Sequence, residues 1–187
     1  MSIRARSDNK RLQTRRTVRR SYPAMSRARR LRVIEADLAL PDHQRDVVAM
    51  TAAYALDVMG NGGPLPPDVL ERLVPALREH PTTMIFLAYV GAQVVGIATC
   101  FLGFSTFAAR PLINIHDLAV LPDYRGGGIG RALLEAVARK AREQGCVKVT
   151  LEVQENNTRA RRVYEAAGFR HALHGEISGS LFYTKLL

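Results

Sequence analysis

The sequence predicts an α/β (α+β) domain, a mixed sheet with helices packed on both of its faces. Three observations point there. Apolar runs at strand period alternate with apolar stripes at helical period, in the order β-α-α-β-β-β-α-β-α-β-β. The chain has 187 residues, the size of one domain, and no internal repeat. Its 47% hydrophobic content suffices to fill a core of that size.

The elements follow in order. Arg32–Ala36 reads as a first strand. Asp42 is placed to cap a helix from about His43 to Met59, with Val47, Val48, Thr51, Ala55 and Val58 as its stripe. Gly60-Asn61-Gly62-Gly63-Pro64 breaks it. Pro66-Pro67-Asp68 opens a second helix, with Leu70, Leu73, Val74 and Leu77 on one face, and His80-Pro81 ends it. Thr83–Val90 and Gln93–Phe104 form a hairpin about Gly91-Ala92. A loop over Gly103–Arg110 leads to the fourth strand, Ile113–Val120. The next helix carries Ile129, Leu133, Val137 and Ala141 at i, i+4 spacing and stops at Gly145. Lys148–Val153 is a fifth strand and Thr158–Ala167 a short helix. Two closing strands are expected near Phe169–Leu173 and Ser180–Leu187.

The net charge of +10 is not spread over the chain. Residues 1–30 hold eleven of the 27 Lys and Arg and one of the 17 acids, Asp8, so the remaining 157 residues carry sixteen of each and are neutral. The segment 1–30 is therefore read as a basic tail with no usable period, disordered or loosely docked, and 31–187 as a single domain. The tail has three readings: an anion-binding arm for RNA, DNA or a charged surface, a transit-like leader, or residues ahead of a true start at Met25. Nucleic acid enters as a partner only through it. No run approaches 18 consecutive apolar residues, so no membrane partner is expected. Cys100 and Cys146 show no paired or metal-ligand spacing, and the five histidines form no ligand array. No metal and a reducing, cytoplasmic setting are the expectation.

The most informative stretch is Ile113–Leu134, a buried strand, then Arg125-Gly126-Gly127-Gly128-Ile129-Gly130, then a helix. Glycines at that junction let backbone N–H groups approach a ligand, at the positive end of the helix dipole. That is a place for a phosphate-bearing group. The dinucleotide fingerprint fails, since Arg131 and Leu133 stand where its third glycine belongs. The P-loop fails because no Lys-Ser or Lys-Thr follows. What remains is Arg125-x-x-Gly128-x-Gly130, which resembles the acyl-CoA pyrophosphate loop of the GNAT N-acetyltransferase superfamily. One strand later, Asn157, Ala160, Val163, Tyr164, Gly168 and Phe169 resemble that family's second motif, N-x-x-A-x-x-Φ-Y-x-x-x-G-F, where Φ is apolar. The specific motifs lie within residues 113–170, and the order of elements matches the family's from Arg32 onward.

The resemblance implies the acyl-CoA N-acyltransferase fold, a mostly antiparallel sheet of about six to seven strands, splayed between strands four and five. It implies acetyl-CoA as cosubstrate and acetyl transfer to a primary amine of a small molecule or peptide, by direct attack in a ternary complex. The pyrophosphate would meet Arg125, Gly126, Gly128, Gly130 and Arg131. Backbone groups of Leu118 and Val120 would face the pantetheine arm and the thioester carbonyl, and Asn157 would bond to CoA. Tyr164 would donate a proton to the departing thiolate. Read from the residues alone, Tyr164 is a core tyrosine on the stripe with Ala160, Val163 and Ala167, and Asn157 a helix cap.

One departure stands out. Many relatives carry Glu on the fourth strand where this chain has Asn114, which cannot act as a base. His116, Asp117 and Glu152 are the neighbouring alternatives, and His116 has the ordinary pKa best suited to the task. Strict alternation places Asn114 and His116 on one face and Asp117 on the other, unless a bulge shifts the phase. The missing Glu motivates a second reading, a non-catalytic acyl-CoA-binding module. The acceptor should meet the first two helices and the Gly60–Pro64 loop. Residues 37–80 hold seven acids against three arginines, which mildly favours a cationic amine, though a solvated helix face explains it equally well. A homodimer is an open option.

Overall fold

The computed structural model describes residues 30–170. The first strand, β1 (Leu31–Glu35), starts the sheet. Helices α1 (Pro41–Ala55) and α2 (Pro67–Glu79) follow, then β2 (Thr83–Val90), β3 (Gln93–Ser105) and β4 (Arg110–Val120). A single 3-10 turn, Pro122–Tyr124, leads into α3 (Ile129–Glu143), then β5 (Val149–Leu151) and α4 (Thr158–Ala166). The strands pair in sequence order; β1 to β4 are antiparallel, and β4 to β5 is parallel. The mixed sheet and the helices on both faces are those expected from the sequence.

Two apolar layers flank the sheet. On one side α3 buries Ile129, Leu133, Val137 and Ala141, the four residues of its stripe, against Phe86, Ala98, Ile113 and Ile115. On the other, Val47 and Met50 of α1 and Val74 of α2 meet Ile85, Leu87, Ile97 and Ala119. Each fully buried aliphatic side chain contributes about 1.5–3 kcal/mol of hydrophobic stabilisation. The α3 layer is tight at Gly96. A Cβ there would lie 3.1 Å from Leu133 Cδ1, 3.2 Å from Ile129 Cγ2 and 3.2 Å from the Ala119 carbonyl oxygen. Glycine on β3 lets the helix come that close.

Several boundaries differ from the sequence reading, each for a local reason. Helix α1 begins at Pro41 and ends at Ala55, not Met59. Asp42 does not cap it: Leu40 occupies the cap position, and Asp42 sits in the first turn, paired with Arg45. Beyond Ala55 the chain folds back so closely that a Cβ on Gly60 would stand 2.1 Å from the Tyr54 carbonyl oxygen. Val58, placed on the helical stripe, is consequently 80% exposed. The loop expected over Gly103–Arg110 shrinks to a tip, since pairing runs on to Ser105 opposite Arg110. Strand β5 is shorter than Lys148–Val153. The closing strands near Phe169–Leu173 and Ser180–Leu187 fall outside the described residues, apart from Phe169 and Arg170, which carry no strand pairing among them. The tail 1–29 lies outside them as well. No helix among the described residues is long and apolar enough to cross a membrane.

Candidate active site

The site begins with one surplus residue in β4. Thr99 pairs with Asp117 but its neighbour Cys100 pairs with Ile115, so His116 is left over as a bulge. The phase of the strand slips there. Before the bulge, Ile113 and Ile115 face the α3 layer; after it, Leu118 and Val120 do. Asp117 therefore joins Asn114 and His116 on the α1–α2 side. This corrects the strict alternation that put Asp117 on the opposite face from His116.

Pairing between β4 and β5 also ends here, at Ile115 opposite Leu151. The strands part, and a cleft of about 1330 Å³ opens between them. That exceeds the roughly 300–1,000 Å³ of drug-sized pockets and leaves room for an extended ligand. The N–H of Leu121 bonds to the Val95 carbonyl at 2.9 Å, toward β3. Along an antiparallel strand this direction alternates, so Ala119 also points to β3 while Val120 and Leu118 point their N–H groups toward the cleft.

The glycine loop closes one end. Gly126 and Gly128 have φ of +83° and +81°, values that a side chain disfavours. Gly128 is the N-cap of α3 and offers no side-chain cap. Among the described residues no acceptor meets the backbone N–H groups of Gly126 to Arg131, a run of donors at a helix N-terminus suited to an anion. At Gly130 a Cβ would meet only Val163 at 3.6 Å and Val120 at 4.0 Å. The Arg125 side chain is held within the protein, donating Nε to the Val120 carbonyl at 2.9 Å and pairing through Nη2 with Asp57. Arg131 pairs with Glu135 at 2.8 Å on the exposed side of α3.

Helix α4 forms the far wall. Asn157 caps it, its Oδ1 accepting from Ala160 N–H at 3.1 Å. Val163, Tyr164 and Ala167 pack on the α3 layer, and the Tyr164 ring tilts against Phe169 with centroids 6.1 Å apart. Tyr164 thus both packs its ring against the core and lines the cleft. Its hydroxyl is pushed up to about 12, by burial first and by nearby Tyr54 second. It is a protonated donor at any neutral pH.

Tyr54, like Asp57, is a wall residue that sequence reasoning missed. It lies at the end of α1, and its hydroxyl donates to the Met59 carbonyl at 3.3 Å. Its own pKa is raised by burial, then by Asp117, then by Asp57. Its spacing from Val47 on the buried helical face was legible, but only the fold brings it beside Tyr164, 110 positions away.

The potential bases lie around the bulge. His116 is exposed and lines the cleft, and its ring meets Phe101 edge-on at 5.7 Å. Burial raises the Asp117 carboxyl, and the neighbouring His116 opposes this. Glu152 lines the opposite wall. Asn114 is engaged elsewhere, its Nδ2 donating to Thr150 Oγ1 across the β4–β5 pairing at 3.1 Å. The cleft gathers all ten candidates named from the sequence: His116, Leu118, Val120, Arg125, Gly126, Gly128, Gly130, Arg131, Asn157 and Tyr164. A second groove, about 910 Å³ between α1 and α2, touches none of them. Among the described residues, no three His, Cys, Asp or Glu side chains group closely enough to hold a metal ion.

Comparison with known proteins shows the family and the fold. The model of the "Acetyltransferase (GNAT) family" matches residues 50–169, well over half of the chain. The thialysine N-epsilon-acetyltransferase of Bos taurus is 36% identical over 86 residues, which is 46% of this chain and 50% of that protein. An uncharacterized N-acetyltransferase of Archaeoglobus fulgidus is 35% identical over 92 residues, 49% of this chain and 63% of the other. The chain thus spans half to under two-thirds of the length of these relatives. Among solved structures, a probable acetyltransferase superposes with a TM-score of 0.69 at 18% identity, covering 82% of this chain and 99% of its own. An aminoglycoside N-acetyltransferase in complex with CoA superposes with a TM-score of 0.66 at 18% identity, covering 87% and 99%. At such identities the likeness is one of fold, and together with the family match it identifies the chain as a member of the acetyltransferase (GNAT) family.

Proposed function

We propose that this protein transfers an acetyl group from acetyl-CoA to a primary amine. One observation carries the proposal: the glycine-loop N–H groups, which have no acceptor among the described residues, the cleft-facing N–H groups of β4 and Tyr164 all border one cleft. Acetyl-CoA supplies the activated acetyl group as a thioester. The donors of Gly126 to Arg131 and the α3 dipole suit its pyrophosphate without a cluster of cationic side chains. The N–H of Leu118 or Val120 suits an oxygen that gains negative charge during transfer. Tyr164 suits proton return to the departing sulfur. A lysine-like amine has a pKa of about 10.4 and reaches the site charged, so a base must take its proton. His116 is the favoured base, directly or through a water; Glu152 lines the same cleft, and Asp117 beside the bulge has a structural or substrate-orienting role. The relative named as an N-epsilon-acetyltransferase supports an amine as acceptor.

Acetyl-CoA turnover against a panel of polyamines, aminoglycosides and N-terminal peptides tests the reading. The expected result is thiol release with at least one amine, abolished or strongly slowed by Tyr164→Phe. CoA binding without acetylation of any amine, unaffected by Tyr164→Phe, would instead favour a binding module.

A further inference from the structure

The Asp57–Arg125 ion pair joins two parts of the cleft wall that no strand pairing connects. One part is the end of α1 with the turn after it, which supply Tyr54, Val58 and Met59 to the cleft. The other is the glycine loop. Both side chains are sheltered, Asp57 15% and Arg125 30% exposed. Neither contact is isolated. Asp57 Oδ1 also accepts the Met59 N–H at 2.9 Å, and its main-chain carbonyl accepts from Gly60 at 2.9 Å and Gly62 at 3.2 Å. Arg125 grips the end of β4 through the Val120 carbonyl, and its own N–H bonds to the Pro122 carbonyl at 3.2 Å. The Arg125 Nε and Nη2 groups are thus engaged by protein acceptors.

We propose that Asp57 is a positioning residue for the cofactor loop. Its carboxylate keeps the Arg125 guanidinium against the Val120 carbonyl, so the loop presents its backbone N–H groups to the pyrophosphate. The same contact makes the turn after α1 and the glycine loop one mechanical unit, linking the acceptor wall to the cofactor wall. The inference rests on the acetyl-CoA reading above. It opposes a simpler idea, that Arg125 binds pyrophosphate by charge and Asp57 merely masks it. The two ideas predict opposite signs.

Calorimetric titration of CoA into the parent protein, Asp57→Asn, Arg125→Gln and the double variant separates them. The positioning role predicts that each single change weakens CoA binding about five- to tenfold. It also predicts that the double variant binds no worse than the weaker single. Arg125→Lys, which keeps the charge but not the fork of donors, should weaken binding as well, and it keeps the test alive should Asp57→Asn not fold. In turnover, KM for acetyl-CoA should rise while kcat changes less than about twofold. A parent that binds CoA while Asp57→Asn binds it equally well or more tightly overturns the proposal alone. So does a double variant whose losses multiply. A parent that does not bind CoA overturns the acetyl-CoA reading, and the proposal with it.

Discussion

Replacing Tyr164 with Phe removes one oxygen and leaves the packed ring. The hydroxyl has no hydrogen-bond partner among the described residues, so its loss strands no buried donor or acceptor, and the contact with Phe169 survives. Folding stability should therefore change by no more than about 0.5 kcal/mol, which in a chain of this size moves Tm by less than about 2 °C. Catalysis should respond very differently. A positioned general acid is worth about 10²- to 10⁴-fold in rate, or about 2.7–5.4 kcal/mol of barrier. The expected signature is a kcat at least about a hundredfold lower with an unchanged KM for acetyl-CoA, measured by thiol release alongside a thermal melt. The raised pKa adds a second reading. With the phenol pushed up to about 12, only about one hydroxyl in 10⁴ is ionised at pH 8. An alkaline fall in kcat below about pH 10 then belongs to another group. A variant that retains kcat within about threefold would refute the role of Tyr164 as proton donor. So would a loss of Tm large enough to account for the loss of rate.

Further expectations follow from the local geometry. Gly128→Ala forces a side chain into φ +81° and should cost about 1–2 kcal/mol while weakening CoA binding. Gly130→Ala meets only ordinary contacts inside a helix and should be neutral or slightly stabilising with CoA binding kept; paired melts and titrations read both. Asn157→Ala removes the cap of α4 and should cost about 1 kcal/mol, and Asn157→Ser should restore Tm. If CoA affinity does not return with Tm in the serine variant, the amide has a contact of its own with CoA. The Asp57 carboxyl is held below its ordinary value of 3.8, by the Met59 N–H first and Arg125 second. A depressed acid stabilises the fold above its unfolded pKa and loses that effect as pH falls through the folded value. The Tm gap between the parent and Asp57→Asn should thus hold from pH 8 to about 5 and close as pH drops below 3.8.

How legible the site was in the sequence depended on distance along the chain. Arg125, Gly128 and Gly130 declare themselves because the loop makes its own geometry within a few residues. Tyr164 and Asn157 do so because a helix fixes their spacing. The phase slip in β4 is half-visible, since the apolar positions pass from Ile113 and Ile115 to Leu118 and Val120 with one residue too many between them. Its consequence, Asp117 turning to the side of His116, needs the register with Thr99. Tyr54 and Asp57 were out of reach. Each looks like an ordinary residue at the end of an amphipathic helix, and only the return of α1 over the cleft brings them to Tyr164 and Arg125. The early end of α1 had the same cause, a close approach of Gly60 to Tyr54 that no local propensity encodes.

The parting of β4 and β5 has a cost outside chemistry. It leaves strand backbone of β4 unpaired beside β5, the last strand among the described residues. Natural sheets guard their rims with charges, prolines and covering loops, because open N–H and C=O groups template the addition of foreign strands. Here the groups a ligand would pair with face the gap and are not free to be guarded in that way. The exposed bulge and the short three-residue match with β5 keep the gap from zipping shut. A cosubstrate lying in the gap would cover these groups, and so act as a guard of the sheet as well as a reactant.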